Sequence, residues 1–263
     1  MTAPLSVVLG AGAVRGLAHV AVLRALIAGG FHITELVGTS VGAIVTAFYG
    51  AVGLDLDSLE AAGRALRSRH LLAWALLRRF PPRARDRYVH LAGDIPVHLG
   101  RLATASCANL HHGLARIGVV AYDLRSKAQV VWHNERPIIP LGDAVRGAAA
   151  MPGLFRPLRC SGGGRDYLLI DGGARDRLPA QVLFAQPFRP AQVLAVDVSN
   201  SAADRAENLA NLRSLRQRFP GVPIDCVCVD TLNGRSVVYR SSYAAGLLEL
   251  GRRAGDAYMS SVS

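Results

Sequence analysis

An α/β fold built on a largely parallel central sheet, flanked by helices, is what this sequence predicts, and three observations carry the prediction. Short apolar runs of strand length alternate with longer runs of helical character. Two glycine-bearing turns follow the first two apolar runs, where open α/β sheets place their ligands. An apolar fraction of 51% over 263 residues is enough to fill one sizeable core, so one domain spanning 1–263 is expected.

Taken in order, residues 5–9 are an apolar strand that runs into small residues, and a helix over 16–28 comes next. The second strand is 33–38, and a helix-like run over 41–51 leaves its end. The stretch Leu36 to Leu54 carries no charge and is nominally long enough to span a bilayer. Its first residues are strand and turn, so a buried central helix is the expectation. Asp57 followed by Glu60 gives a capping-box-like start to a helix over 57–67, and 71–79 carries another. Residues 80–109, with Pro81-Pro82 and Pro96, are the least regular; a basic lid or insertion is expected at about 70–109. Strands at 117–122, 128–132, 167–171, 192–198 and 223–229 complete the sheet, with helices over 141–149, 203–218 and 236–257.

The formal net charge is +11, and Lys127 is the only lysine among thirty basic residues. Arg64, Arg67, Arg69, Arg78, Arg79, Arg83, Arg85, Arg87 and Arg101 face only Glu60, Asp86 and Asp94 across the same region. Such a segment suits anionic lipid headgroups, acidic partners or nucleic acid, or is simply a solvated face. Nucleic acid rests on charge alone, without a recognition motif, and is not expected. The four cysteines do not suggest a disulfide framework. Cys226 and Cys228 alternate on one face of a strand, and Cys107, His111 and His112 lack the partner pair that a metal site needs. The opening residues show no secretory signal pattern, so a cytoplasmic protein, with peripheral contact at an anionic membrane through 64–101, is expected.

The chemistry centres on Gly38-Thr39-Ser40-Val41-Gly42, a G-x-S-x-G at a strand-to-helix turn, the context of a nucleophilic serine on a strained elbow. All eight histidines lie within the first 133 residues. An α/β-hydrolase order of Ser, then Asp/Glu, then His would crowd the machinery between Ser40 and His133. Asp171, which ends an apolar strand before Gly172 and Gly173, is the better partner. An aspartate before glycines is also an ordinary turn residue, and its unperturbed pKa of about 3.9 makes it a weak base. The site must compensate by geometry, desolvation or a strong oxyanion hole.

After the first strand, Gly10-Ala11-Gly12-Ala13-Val14-Arg15-Gly16 presents successive N–H groups at a helix start. The spacing also resembles a dinucleotide loop, but the Tyr-x-x-x-Lys pair of short-chain dehydrogenases and an acid at the second strand's end are both absent. In a serine hydrolase these N–H groups hold the tetrahedral oxyanion. Arg15 is open to two roles, bonding the backbone or contacting an anionic headgroup. The segment Leu71 to Leu77, followed by Arg78-Arg79, suits either a lipid interface or a core-facing helix.

With Leu17-Ala18-His19, Tyr122-Asp123-Leu124, Ala148 to Phe155 and Leu178-Pro179 added in order, the chain resembles the patatin-like phospholipases over roughly residues 5–180. That resemblance implies a three-layer patatin-like fold and a lipid acyl hydrolase working without metal or organic cofactor. It implies Ser40 as nucleophile, Asp171 as base, and Gly10, Ala11, Gly12 and Ala13 as the oxyanion loop. Arg15, Gly16, Gly38, Gly42, Gly172 and Gly173 support loop and elbow. The substrate implied is a lipid or other acyl ester. The chain departs from the family pattern with alanine at 11 and 13 and with Arg177 where asparagine is common. An alanine at a position of positive φ is disfavoured. The alternative is therefore a catalytically impaired patatin-fold protein that binds lipid or a protein partner.

Overall fold

A computed structural model describes residues 4–232 and 241–262. The chain opens with strand β1 (Leu5–Leu9), helix α1 (Leu17–Ala28), β2 (Ile33–Thr39) and α2 (Val41–Ala47), followed by α3 (Leu56–Ala65) and α4 (Ser68–Leu77). The stretch expected to be irregular holds two short helices, α5 (Pro82–Tyr88) and α6 (Ile95–Thr104). Its prolines explain both the expectation and the outcome. Pro82 and Pro96 stand in first helical turns, where the missing N–H has no partner to lose.

Next come β3 (Arg116–Asp123), β4 (Ala128–His133), α7 (Leu141–Ala148), β5 (Leu158–Gly162) and β6 (Arg165–Asp171). The chain finishes with β7 (Gln192–Asp197), α8 (Ala202–Arg218), β8 (Ile224–Cys228) and α9 (Ser241–Val262). Strand β5 is absent from the sequence expectation. It is a hairpin arm with β6, turned by Gly163 and Gly164, both at positive φ. Part of the helix expected over 236–257, residues 236–240, lies outside the described residues. The start of α3 also differs: Asp55, not Asp57, is the cap, accepting from Ser58 N at 2.6 Å. Asp57 pairs instead with Arg24 of α1.

The eight strands form one sheet in which β3, β2, β1, β7 and β8 run parallel; at the β3 side β4 and β6 are antiparallel to β3, and β5 is antiparallel to β6. Alternation along β1 sends Leu5, Val7 and Leu9 into a core shared with α1, α2 and α7. Val8 faces the opposite way, onto a second core built from Leu183, Phe188, Leu212 and Leu215. A sheet buried on both faces between helices is the three-layer arrangement.

Strand register decides which residues meet at the carboxyl ends of the sheet. β4 occupies one edge of β3 from Gly118 to Asp123. β2 pairs with β3 up to Thr39 opposite Val120, and β6 pairs from Ala121 onward, with Asp171 opposite Ala121. Since a strand has only two edges, β2 and β6 share the other one and meet end to end. The residue after Thr39 therefore lies beside Asp171.

Candidate active site

Ser40 occupies the turn between β2 and α2 with φ 55° and ψ −125°, a conformation that L-residues avoid, and is 5% exposed. The turn is possible because glycines flank it. A Cβ on Gly38 would stand 2.2 Å from the carbonyl of Gly42, and one on Gly42 would stand 2.2 Å from Leu9 O. The strained backbone lifts the side chain clear of the sheet, and Ser40 Oγ donates a 2.6 Å hydrogen bond to Asp171 Oδ2.

Asp171 is equally buried. Its other oxygen, Oδ1, accepts from Gly173 N at 2.8 Å, which fixes the carboxylate plane. Burial raises its pKa from 3.8 to about 6, while the bonds from Ser40 and Gly173 and the charge of Arg177 pull the other way. The result is a stronger base than a solvated aspartate, still ionised at neutral pH.

The main chain around the pair is held by a feature that the sequence did not disclose. Ala148 O accepts from Ser40 N and Ala150 O accepts from Asp171 N, both at 3.1 Å. The end of α7 thus bridges the two catalytic candidates through peptide groups.

In the glycine-rich loop the four expected donors are not equivalent. Gly10 N donates to Val196 O at 3.1 Å and Ala11 N to Arg177 O at 2.8 Å, which anchors the loop to the sheet. Among the described residues, the N–H groups of Gly12 and Ala13 have no acceptor. Ala13 has φ 50°, so an alanine does stand in the left-handed region at one of the two positions that depart from glycine. Arg15 is 2% exposed, and its Nε donates to Val198 O at 2.9 Å, which fits the backbone-bonding role. Gly16 lies so close to the elbow that a Cβ there would stand 2.2 Å from Val41 Cγ2. Gly172 likewise abuts Thr39 and Val120, and Gly173 abuts Ala11. His19, fully buried, bonds Gly10 O through Nε2 at 2.8 Å. Desolvation lowers its pKa to about 4, so it is neutral and acts as the N–H donor.

Residues 7–184 match the patatin-like phospholipase family. The chain belongs to that family. Two uncharacterized NTE family proteins of Mycobacterium tuberculosis, Rv1063c and Rv2565, are 30% and 29% identical to it, over 66% and 74% of this chain. Those stretches cover 44% and 30% of the relatives, so this chain spans less than half the length of the curated proteins it matches. The solved structure of VipD from Legionella pneumophila aligns with a TM-score of 0.55 at 14% identity, covering 97% of this chain and 66% of that one. The likeness is one of fold.

Beside the Ser–Asp pair of this patatin-like chain opens a cavity of about 880 Å³. Ser40, Asp171, Ala13 and Ala150 line it, together with apolar residues such as Leu17, Ile44 and Phe48, with Leu71 and Trp74 of α4, and with Leu99 and Leu102 of α6. His70 and His98 also line it, but neither hydrogen-bonds Ser40 among the described residues. Among the described residues no three His, Cys, Asp or Glu side chains group as metal ligands. His112, a candidate ligand by sequence, stacks on Tyr49 at 4.1 Å. Cys226 and Cys228 share a face as expected, with sulfurs 3.6 Å apart. No helix among the described residues is long and apolar enough to cross a membrane.

Proposed function

We propose that this protein is a serine acyl hydrolase that cleaves fatty acyl esters of lipids. The observation that carries the reading is the 2.6 Å bond from Ser40 to a buried carboxylate, both lining a largely apolar cavity large enough for an acyl chain. Asp171 takes the hydroxyl proton as Ser40 Oγ attacks the ester carbonyl. The tetrahedral oxyanion is held by the donors left without acceptors, the N–H groups of Gly12 and Ala13. Asp171 then protonates the departing alkoxide; a water deprotonated by the same carboxylate attacks the acyl-serine, and as the Ser40 Oγ–acyl bond breaks Asp171 returns the proton to Ser40 Oγ and the fatty acid leaves. Gly10, Ala11, Arg15 and His19 hold the loop rather than the oxyanion. No step calls for a metal or organic cofactor.

We read the chain as one domain in which α4 to α6 form a lid-like insertion that works in the cytoplasm against an anionic membrane surface. Among the described residues nine large hydrophobic side chains are exposed, and six of them, Leu72, Leu76, Phe80, Tyr88, Leu91 and Val97, fall in this segment among its arginines. The second reading, a patatin-fold protein that binds lipid or a partner with little turnover, draws support from the left-handed Ala13 within the loop.

Hydrolysis of p-nitrophenyl butyrate by the unmodified protein and by its Ser40→Ala and Asp171→Ala variants tests the leading reading. A fall of about 10³-fold or more in kcat/KM in each folded variant is expected. An unmodified protein that neither turns over this ester nor labels with a fluorophosphonate would instead favour the second reading.

A further inference from the structure

The apolar cavity has an unbalanced charged flank that ester hydrolysis does not use. Arg78 and Arg79 at the end of α4, Arg146 on α7, and Arg156 and Arg159 before and within β5 all line it. Apart from Asp171, the acidic residues lining the cavity are Asp94 and Asp143. Asp143 is engaged, with Oδ1 3.0 Å from Arg146 Nη1. Asp94 makes no ion pair among the described residues; its charge acts on His98 and is not among those that act on Arg78. Among the described residues, Arg78, Arg79, Arg156 and Arg159 make no ion pair.

Two details mark Arg78 and Arg146 as the centre of this flank. Arg146 Nε is buried and has no hydrogen-bond partner, although buried donors are nearly always satisfied. The Arg78 guanidinium, 6.0 Å over the Trp74 ring, feels the positive charges of Arg146 and Arg85 more than the negative charge of Asp143, which Arg146 already pairs. Two guanidinium groups brought together, one with a donor left over, match the oxygens of a phosphate ester.

We infer that Arg78 and Arg146 form a subsite for the phosphate of a lipid whose headgroup carries net negative charge, in a cavity that Arg156 and Arg159 also line. The inference rests on the lipid-ester reading of Ser40 and Asp171 and narrows it, against zwitterionic phospholipids and neutral glycerides. A choline or ethanolamine ammonium would find no unengaged carboxylate beside Arg78, whereas an anionic headgroup meets cations.

Calorimetric titration of the Ser40→Ala protein, which binds without turnover, tests this independently of catalysis. The probes are dihexanoyl phosphatidylglycerol and dihexanoyl phosphatidylcholine below their micelle concentrations, and inorganic phosphate. We expect phosphatidylglycerol to bind at least tenfold more tightly than phosphatidylcholine. That preference should be lost when Arg146→Gln or Arg78→Gln is added, with thermal melting to verify folding. Equal affinities for the two lipids, or an undiminished preference in both folded arginine variants, would overturn the subsite. Inorganic phosphate binding as tightly as phosphatidylglycerol would also overturn it and leave a free-phosphate site. Failure of the catalytic reading alone would look different: no turnover of p-nitrophenyl butyrate by the unmodified protein, with the lipid preference intact.

Discussion

Two regions line the cavity, and they are built on opposite terms. On one side the ends of β1, β2 and β6 hold Ser40, Asp171 and the glycine-rich loop by buried main-chain bonds, with backbones too close for any side chain at Gly38 or Gly42. On the other side α4 to α6 carry exposed leucines and a phenylalanine among arginines, and α5 has no buried residue at all. The sheet side needs fixed distances, which close packing and short bonds supply. On the proposed reading the helical side meets a ligand that arrives from outside, and an exposed apolar surface suits that. Tolerance to substitution should therefore differ sharply between them.

The largest effect is expected at the elbow. Gly38→Ala places a Cβ against the Gly42 main chain, and a loss of about 3 kcal/mol or more in denaturant unfolding should result, together with loss of fluorophosphonate labelling. A stability change within about 1 kcal/mol would mean that the contact relaxes freely.

Next is Asp171→Asn. Its amide oxygen can still accept from Gly173 and its nitrogen can donate to Ser40, so the shape survives while the base is lost. Because burial holds the folded pKa above the unfolded value, the folded state binds this proton more tightly. Stability therefore declines as pH rises from 3.8 through about 6 and stays lower above that. At pH 8 the asparagine variant should be more stable, by up to about 3 kcal/mol, yet inactive. A less stable variant at pH 8 would show that the charge is not a burden. The same shift predicts that kcat/KM of the unmodified protein rises with pH to a plateau above about 6, and a flat profile from pH 5 to 8 would remove Asp171 as the base.

The helical side sharpens the contrast. Leu76→Ser with Phe80→Ser should weaken sedimentation with anionic vesicles about tenfold or more while moving the melting temperature little. Unchanged vesicle binding would detach this surface from the membrane. The smallest effect is expected from Ala13→Gly, a gain of up to about 1 kcal/mol by relief of the left-handed backbone. A large rise in turnover in that variant would support the impaired reading.

Much of this was legible in the sequence because the signals are local. Apolar runs marked seven of the eight strands, and G-x-S-x-G after the second strand marked the elbow. Asp171 emerged by elimination, since the late half of the chain holds no histidine. Strand β5 escaped because Leu158 to Gly162 mixes arginine, cysteine and serine with little apolar content. The Gly162-Gly163-Gly164 run was the available hairpin signal. The regularity of 80–109 was hidden because proline reads as a breaker in a sequence, whereas Pro82 and Pro96 begin helices. The inequality of the loop donors depends on the carbonyls of Val196 and Arg177, far away in the chain, and no local pattern reports them. The pairing of Ser40 and Asp171 along one edge of β3 is likewise a matter of register.

The Ala148–Ala150 segment makes the spacing of Ser40 and Asp171 a property of three consecutive peptide groups, independent of side-chain identity. Ala149, between the two carbonyls that set the gauge, lines the cavity. A change there reshapes the space offered to the substrate while the gauge stays as it is. On the acyl-hydrolase reading, substrate preference can drift in this scaffold through a single codon, with Ser40 and Asp171 still in register.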